Sequence, residues 1–187
     1  MGPVIVGVDI GQAHDPTALC VAERDGARLV VRHLARLPLG TDYPAVGRHI
    51  DGLIASLRER TGRLPTTVID ATGVGKPVVD GLWSIGRPVV AVYLTAGGKR
   101  ICRRRGPRPI YSLGKARMVC RLQAVIQEGR IRLPRTAEAR ALATELLGYE
   151  IRVDEDGHAR FGAFRSGTHD DLATALGLAT DFGMDPP

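Results

Sequence analysis

The sequence predicts an α/β fold: a mixed five-stranded sheet with helices on both faces, plus one extra β-hairpin. Three observations carry this. The chain opens with three β-rich runs separated by turn signals, the pattern of an antiparallel meander. Short buried strands then alternate with amphipathic helical stripes, the pattern of parallel strands joined by crossovers. No internal repeat, low-complexity tract or linker interrupts this order, so residues 1–187 read as a single domain.

The first run, Val4 to Val8, is β-branched and apolar, as a buried central strand should be, and it ends in Asp9. Asp15-Pro16 is a turn signal, and Thr17 to Arg24 is the second strand. Asp25-Gly26 between two apolar runs predicts a tight hairpin into the third strand, Arg28 to Leu37. Val46, Ile50, Leu53, Ile54 and Leu57 fall on one stripe of a helix from Pro44 to Arg60, which Gly62 stops. Thr66 to Ile69 is a short strand ending in Asp70. A small-residue turn leads into a helix from Pro77 to Ile85, and Pro88 to Leu94 is the fifth strand.

Thr95 to Pro109 changes character and reads as an exposed basic loop or hairpin. Helices follow over Leu113 to Gln127, ended by Gly129, and over Thr136 to Leu147, with Thr136 as N-cap. Tyr149 to Val153 and Ala159 to Phe164 pair across Asp154 to Gly157 as the extra hairpin. Thr168-His-Asp-Asp-Leu172 opens the last helix, with Leu172, Ala175, Leu176 and Ala179 facing inward.

Composition narrows the function classes. Aromatics are only 4%, so the core must rest on Val, Leu, Ile and Ala. The net charge of +6 leans towards a polyanionic partner. Cys20, Cys102 and Cys120 are odd in number and widely spaced, against a zinc site or disulfide framework and in favour of a reducing compartment. No apolar run approaches the ~20 residues needed to span a bilayer, and none reads as a signal peptide, so a cytoplasmic protein without membrane partners is expected.

The acidic residues carry the chemistry. Asp9 ends the first strand, Asp70 ends the fourth, and Asp170 and Asp171 open the last helix. Were the fourth strand parallel to the first, Asp9 and Asp70 would be neighbours, and the last helix could add its carboxylates. Such a cluster self-repels by roughly 4 kcal/mol per pair at ~4 Å and an effective dielectric near 20. Oxygen-only ligands suit Mg²⁺ or Mn²⁺, and two such ions can activate water for phosphodiester hydrolysis. Taken singly, each acid could instead cap a helix or close a turn. All of them doing so at such positions is the weaker reading.

Other candidates are secondary. Gly73-Val-Gly-Lys76 lacks phosphate-loop spacing and is followed by Pro77, so it reads as a tight turn. His14 and His169 are potential ligands, and His169 is the better accessory position because it adjoins Asp170. Lys99, Arg100, Arg103, Arg104, Arg105 and Arg108 form the densest basic cluster, expected to hold a nucleic-acid backbone beside the acids, with Lys115 on the following helix.

The motifs VGVDIGQAHDPTA, VIDATGVGKPVVDGL, the segment around Lys115 and HDDLATALGLA occur in that order from about Val4 to Thr180. Together they resemble the nuclease domain of the large terminase subunit of tailed bacteriophages, in the RNase H-like (RuvC-like) superfamily. The resemblance implies an RNase H-like fold and an endonuclease that cuts concatemeric viral DNA during packaging. It implies Asp9, Asp70 and Asp171 as catalytic, metal-binding acids, Asp170 as an accessory ligand, and two divalent cations, Mg²⁺ or Mn²⁺. Implied partners are double-stranded DNA, the terminase ATPase domain, the small terminase subunit and the portal, in the host cytoplasm. One departure stands out: 187 residues leave no room for the packaging ATPase, and no Walker motif is present, which points to an excised domain or a stand-alone relative.

Three rival readings follow from the same residues. A Holliday-junction resolvase of the same fold would prefer four-way junctions to linear duplex. A sugar-kinase or actin-type ATP domain shares the D-x-G opening and would bind ATP. A non-catalytic DNA-binding or motor-docking module would not bind divalent ions at its carboxylates.

Overall fold

The computed structural model describes residues 2–11, 15–153, 159–162 and 169–186. In chain order the elements are β1 (Val4–Asp9), β2 (Ala18–Asp25), β3 (Arg28–Arg36), α1 (Tyr43–Thr61), β4 (Thr66–Asp70), α2 (Gly75–Ser84) and β5 (Val89–Thr95). There follow β6 (Arg100–Arg104), β7 (Ile110–Gly114), α3 (Lys115–Gln127), β8 (Ile131–Arg132), α4 (Ala137–Gly148), β9 (Glu150–Val153), β10 (Ala159–Gly162) and α5 (Asp171–Met184).

The expected mixed sheet is present, and it is wider than the five strands foreseen. Eight strands run in the order β6-β7-β5-β4-β1-β2-β3-β8. The five expected strands form its centre: β1, β2 and β3 are antiparallel, while β4 and β5 run parallel to β1. The basic stretch supplies β6, the residues after it supply β7, where the helix expected from Leu113 starts only at Lys115, and β8 adds a short parallel edge beside β3. The extra hairpin forms as β9 with β10, a separate two-stranded unit, and its turn at 154–158 lies outside the described residues.

Side-chain alternation divides the core. Val6, Val8 and Ile10 face α1 and α2, packing with Ile50, Ile54, Val78 and Leu82. Ile5, Ala18, Cys20 and Val68 face the other way, packing with Leu122, Leu142, Leu172 and Leu176 of α3, α4 and α5. α5 is buried from Asp171 to Gly183, as a helix that is apolar nearly all round should be.

Local chemistry sets the ends of these elements. Asp42 caps α1, accepting the Ala45 N–H at 2.6 Å, and Gly62 ends the helix in the left-handed region at φ 70°. Thr136 caps α4 by accepting the Ala139 N–H at 3.2 Å, as expected. Gly73-Val-Gly-Lys76 is the turn between β4 and α2, and Lys76 pairs with the exposed Asp80 one helical turn on. Among the described residues, no helix is long and apolar enough to cross a membrane.

One glycine decides where α5 lies. A Cβ built on Gly7 would fall inside van der Waals contact with the Ala175 carbonyl oxygen and 2.9 Å from the Ala179 nitrogen. The missing side chain therefore lets α5 rest directly on β1. At the far end of α5, Asp181 is fully buried among arginines: Arg100 donates to it at 3.0 Å and Arg117 at 3.0 Å.

Candidate active site

Register and alternation bring the acids together. β1 and β4 are parallel, with Gly7 opposite Val68 and Val8 opposite Ile69. One step further on, both strands end, in Asp9 and Asp70. Both carboxylates follow the alternation of Ile5 and Val68, so both lie on the sheet face that α5 covers. α5 rests on Gly7 and begins at Asp171, which places Asp170 and Asp171 over that sheet end. Asp9, Asp170 and Asp171 line one cavity of about 310 Å³, together with Gly11, Asp15 and Thr72.

The simpler roles weighed for each acid are met only in part. Asp70 does close a turn, accepting the Thr72 N–H at 2.8 Å, yet it is buried. Asp170 occupies the N-cap of α5, but its side chain makes no capping bond. Asp171, 4% exposed, pairs with Arg36.

The electrostatics are those of crowded carboxylates. Burial holds the Asp9 carboxyl well above the usual carboxylate range, and the charges of Asp70, Asp170 and Asp171 push the same way. Burial also raises Asp70, against the Thr72 hydrogen bonds. Lys115, at the start of α3, lowers both and is the nearby cation on that side. Among the described residues, no three carboxylate, imidazole or thiol groups close into a ready cage. Arg36 pairs with Asp171 and offsets its charge. The oxygen-only donor set, the mutual repulsion and the cavity between the acids together fit a hard divalent cation.

His169 sits at the rim, its Nδ1 3.5 Å from an Asp15 carboxylate oxygen. His14 lies outside the described residues.

The basic residues divide. Lys99, Arg103, Arg104, Arg105 and Arg108 are exposed. Arg100 is not available to a ligand: its side chain is 11% exposed, bridges Asp181 and Asp185, and lies over the Phe182 ring at 4.8 Å. The sequence reading expected the whole cluster beside the acids; Lys99, whose carbonyl accepts the Gly114 N–H just before Lys115, lies at that sheet end, but the residues towards the β6–β7 turn do not. Arg104 and Arg108 stack on Trp83 near the C-terminal end of α2, at 5.1 and 5.9 Å. The turn between β6 and β7 thus points to the sheet end opposite Asp9 and Asp70. The cause is the antiparallel return of β6 along β7.

Two residues at this site were missed by the sequence reading. Arg36 bonds both oxygens of Asp171, and Glu145 on α4 bonds Arg36. Glu145 had a legible signal, since it continues the buried helical stripe of Ala139 and Leu142. Its burial raises the carboxyl to about 7, against the Ala173 N–H and Arg36, with Asp171 adding to the rise.

Comparison with known proteins agrees with this fold. Residues 6–181 match the terminase RNaseH-like domain family. No curated protein matches the sequence. The fold is similar to that of the large terminase nuclease from thermophilic phage G20c, solved with bound magnesium. The TM-score is 0.69 at 20% identity, over 96% of this chain and 80% of that one. The bacteriophage SPP1 large terminase nuclease domain with bound Mn gives a TM-score of 0.56 at 12% identity, over 97% and 87%. The large terminase of a second thermophilic bacteriophage gives 0.66 at 10% identity, covering 96% of this chain and 39% of that protein.

Proposed function

The chain belongs to the terminase RNaseH-like domain family, and on that premise we propose that it is a divalent-metal-dependent DNA endonuclease cutting concatemeric viral DNA during packaging. The observation that carries this reading is the meeting of Asp9, Asp170 and Asp171 around a single cavity, with Asp70 at the neighbouring strand end and close enough to act on the Asp9 charge. Asp9, Asp70 and Asp171 are the proposed holders of two Mg²⁺ or Mn²⁺ ions, with Asp170 accessory and His169 at the rim. The magnesium-bound and Mn-bound relatives support that choice of ions. When bound, such ions supply an activated water and stabilise the leaving 3′-oxygen.

The chain's own residues do the rest. The acids repel an approaching phosphate, and Lys115 offsets part of that repulsion. Arg103, Arg104, Arg105 and Arg108 hold duplex backbone at a distance from the cut, and Lys99 holds it nearer the acids, all without reading sequence. By family, the working partners are double-stranded DNA, a packaging ATPase domain, a small terminase subunit and a portal, in the host cytoplasm.

Supercoiled plasmid tests the reading. Nicked and linear products are expected with Mn²⁺ or Mg²⁺, and none in EDTA. Undiminished cutting in EDTA overturns it. Replacing Arg103, Arg104 and Arg105 together with Ala is expected to weaken duplex binding equally for all sequences. The log–log salt slope should fall by about 0.9 per lost phosphate contact. Binding titrations at several salt concentrations measure this, and an unchanged slope removes the hairpin from the DNA path.

A further inference from the structure

Arg36 lies in the same cross-strand row as Asp9. Asp9 is opposite Ala18, and Ala18 is opposite Arg36, so all three share the sheet face beneath α5. The Arg36 Nε donates to one Asp171 carboxylate oxygen at 2.6 Å, and a terminal amino group donates to the other at 3.3 Å. That amino group also donates to Glu145 Oε1. Glu145 Oε2 in turn accepts the Ala173 N–H at 2.8 Å, two residues beyond Asp171 on α5. One guanidinium therefore ties β3, α4 and α5 together at the carboxylate.

A two-pronged bond does something a point charge does not. It fixes the plane of the carboxylate as well as its charge. A carboxylate has about four lone-pair sites, and the fork takes one on each oxygen. The sites left over are then held in a set direction. Glu145 is what keeps the fork from turning, because its own second oxygen is fastened to the backbone of α5.

We propose that Arg36, anchored by Glu145, is a positioning residue that sets the plane of the Asp171 carboxylate for cation binding. This rests on the nuclease reading of the site. A simple counter-charge would be replaceable by any other cation, whereas a positioning fork is not replaceable by Lys.

The test is a Mn²⁺ titration of the full chain, following the electron paramagnetic resonance signal of free aqueous Mn²⁺. Parent, Arg36→Lys and Glu145→Gln are compared, with thermal melts in EDTA as the folding control. Arg36→Lys is expected to bind Mn²⁺ roughly 10–100-fold more weakly, the usual effect of losing a partner that orients a ligand. Glu145→Gln should shift the same way, because Arg36 and Ala173 donate to different carboxylate oxygens and the amide nitrogen that replaces one of them cannot accept. Binding by Arg36→Lys within about twofold of the parent overturns the proposal. If Arg36→Lys does not fold, Glu145→Gln decides by the same criterion. If neither folds, the pair is a strut and the proposal falls. A parent that binds no Mn²⁺ removes the nuclease reading itself, a result distinct from retained binding in the variants.

Discussion

Asp9→Asn, Asp70→Asn and Asp171→Asn are each expected to abolish plasmid cleavage while leaving the fold in place. Asn keeps the size of Asp and removes the charge a cation needs. The loss should exceed the roughly 10–100-fold typical of removing an outer partner of a ligand. Thermal stability in EDTA separates the three. Asp9 is held above its ordinary pKa by burial and by its acidic neighbours. A raised carboxyl stabilises the folded chain fully at low pH, and that contribution is lost as pH rises through the folded pKa. Asp9→Asn should therefore melt higher than the parent in alkaline buffer, with the gap closing in acid. Asp70→Asn should shift the same way by less, since burial also raises the Asp70 carboxyl and an amide oxygen can still accept the Thr72 N–H. Asp171→Asn should melt lower, because Arg36 loses its charged partner. Plasmid assays and melts at two pH values check this. Retained cutting in any of the three would remove that acid from the catalytic set.

Gly7→Val is expected to be the most damaging substitution for stability. A side chain there runs into backbone atoms of Ala175 and Ala179, which cannot turn aside as a side chain can. Overpacking costs about 1–3 kcal/mol and occasionally more, and a clash with a buried helix backbone belongs at the upper end. For a chain of this size that is a fall in Tm on the order of 10 °C. Lifting α5 would also carry Asp171 away from Asp9, so cutting should fall further than the unfolded fraction accounts for. Circular dichroism melts with parallel plasmid assays test both parts. A Tm close to the parent's would mean α5 does not depend on that contact.

Much of this architecture was legible because the physics is local. Alternation and stripes placed β1 to β5 and all five helices, and the ends of β1 and β4 marked Asp9 and Asp70. The edge strands were harder to read. β6 is mostly arginine, and on an outermost strand charged side chains suit the exposed edge, so composition left loop and hairpin both open where the backbone makes an antiparallel ladder. Arg100 looked like its neighbours in sequence, and only the packing of Asp181 and Phe182 shows it to be internal. Arg36 and Glu145 are far apart along the chain and meet through the fold alone. No spacing rule could have paired them.

The order of elements also bears on when this protein can act. β1 and β4 leave the ribosome early, while α5 is the last helix to emerge. Until it docks, the strip of β1 around Gly7 has no cover, and the acid set lacks Asp170 and Asp171. On the proposed nuclease reading, a nascent chain that stops short of α5 carries only Asp9 and Asp70 of the proposed acid set. Cleavage is then expected only from chains in which α5 has been made and has docked.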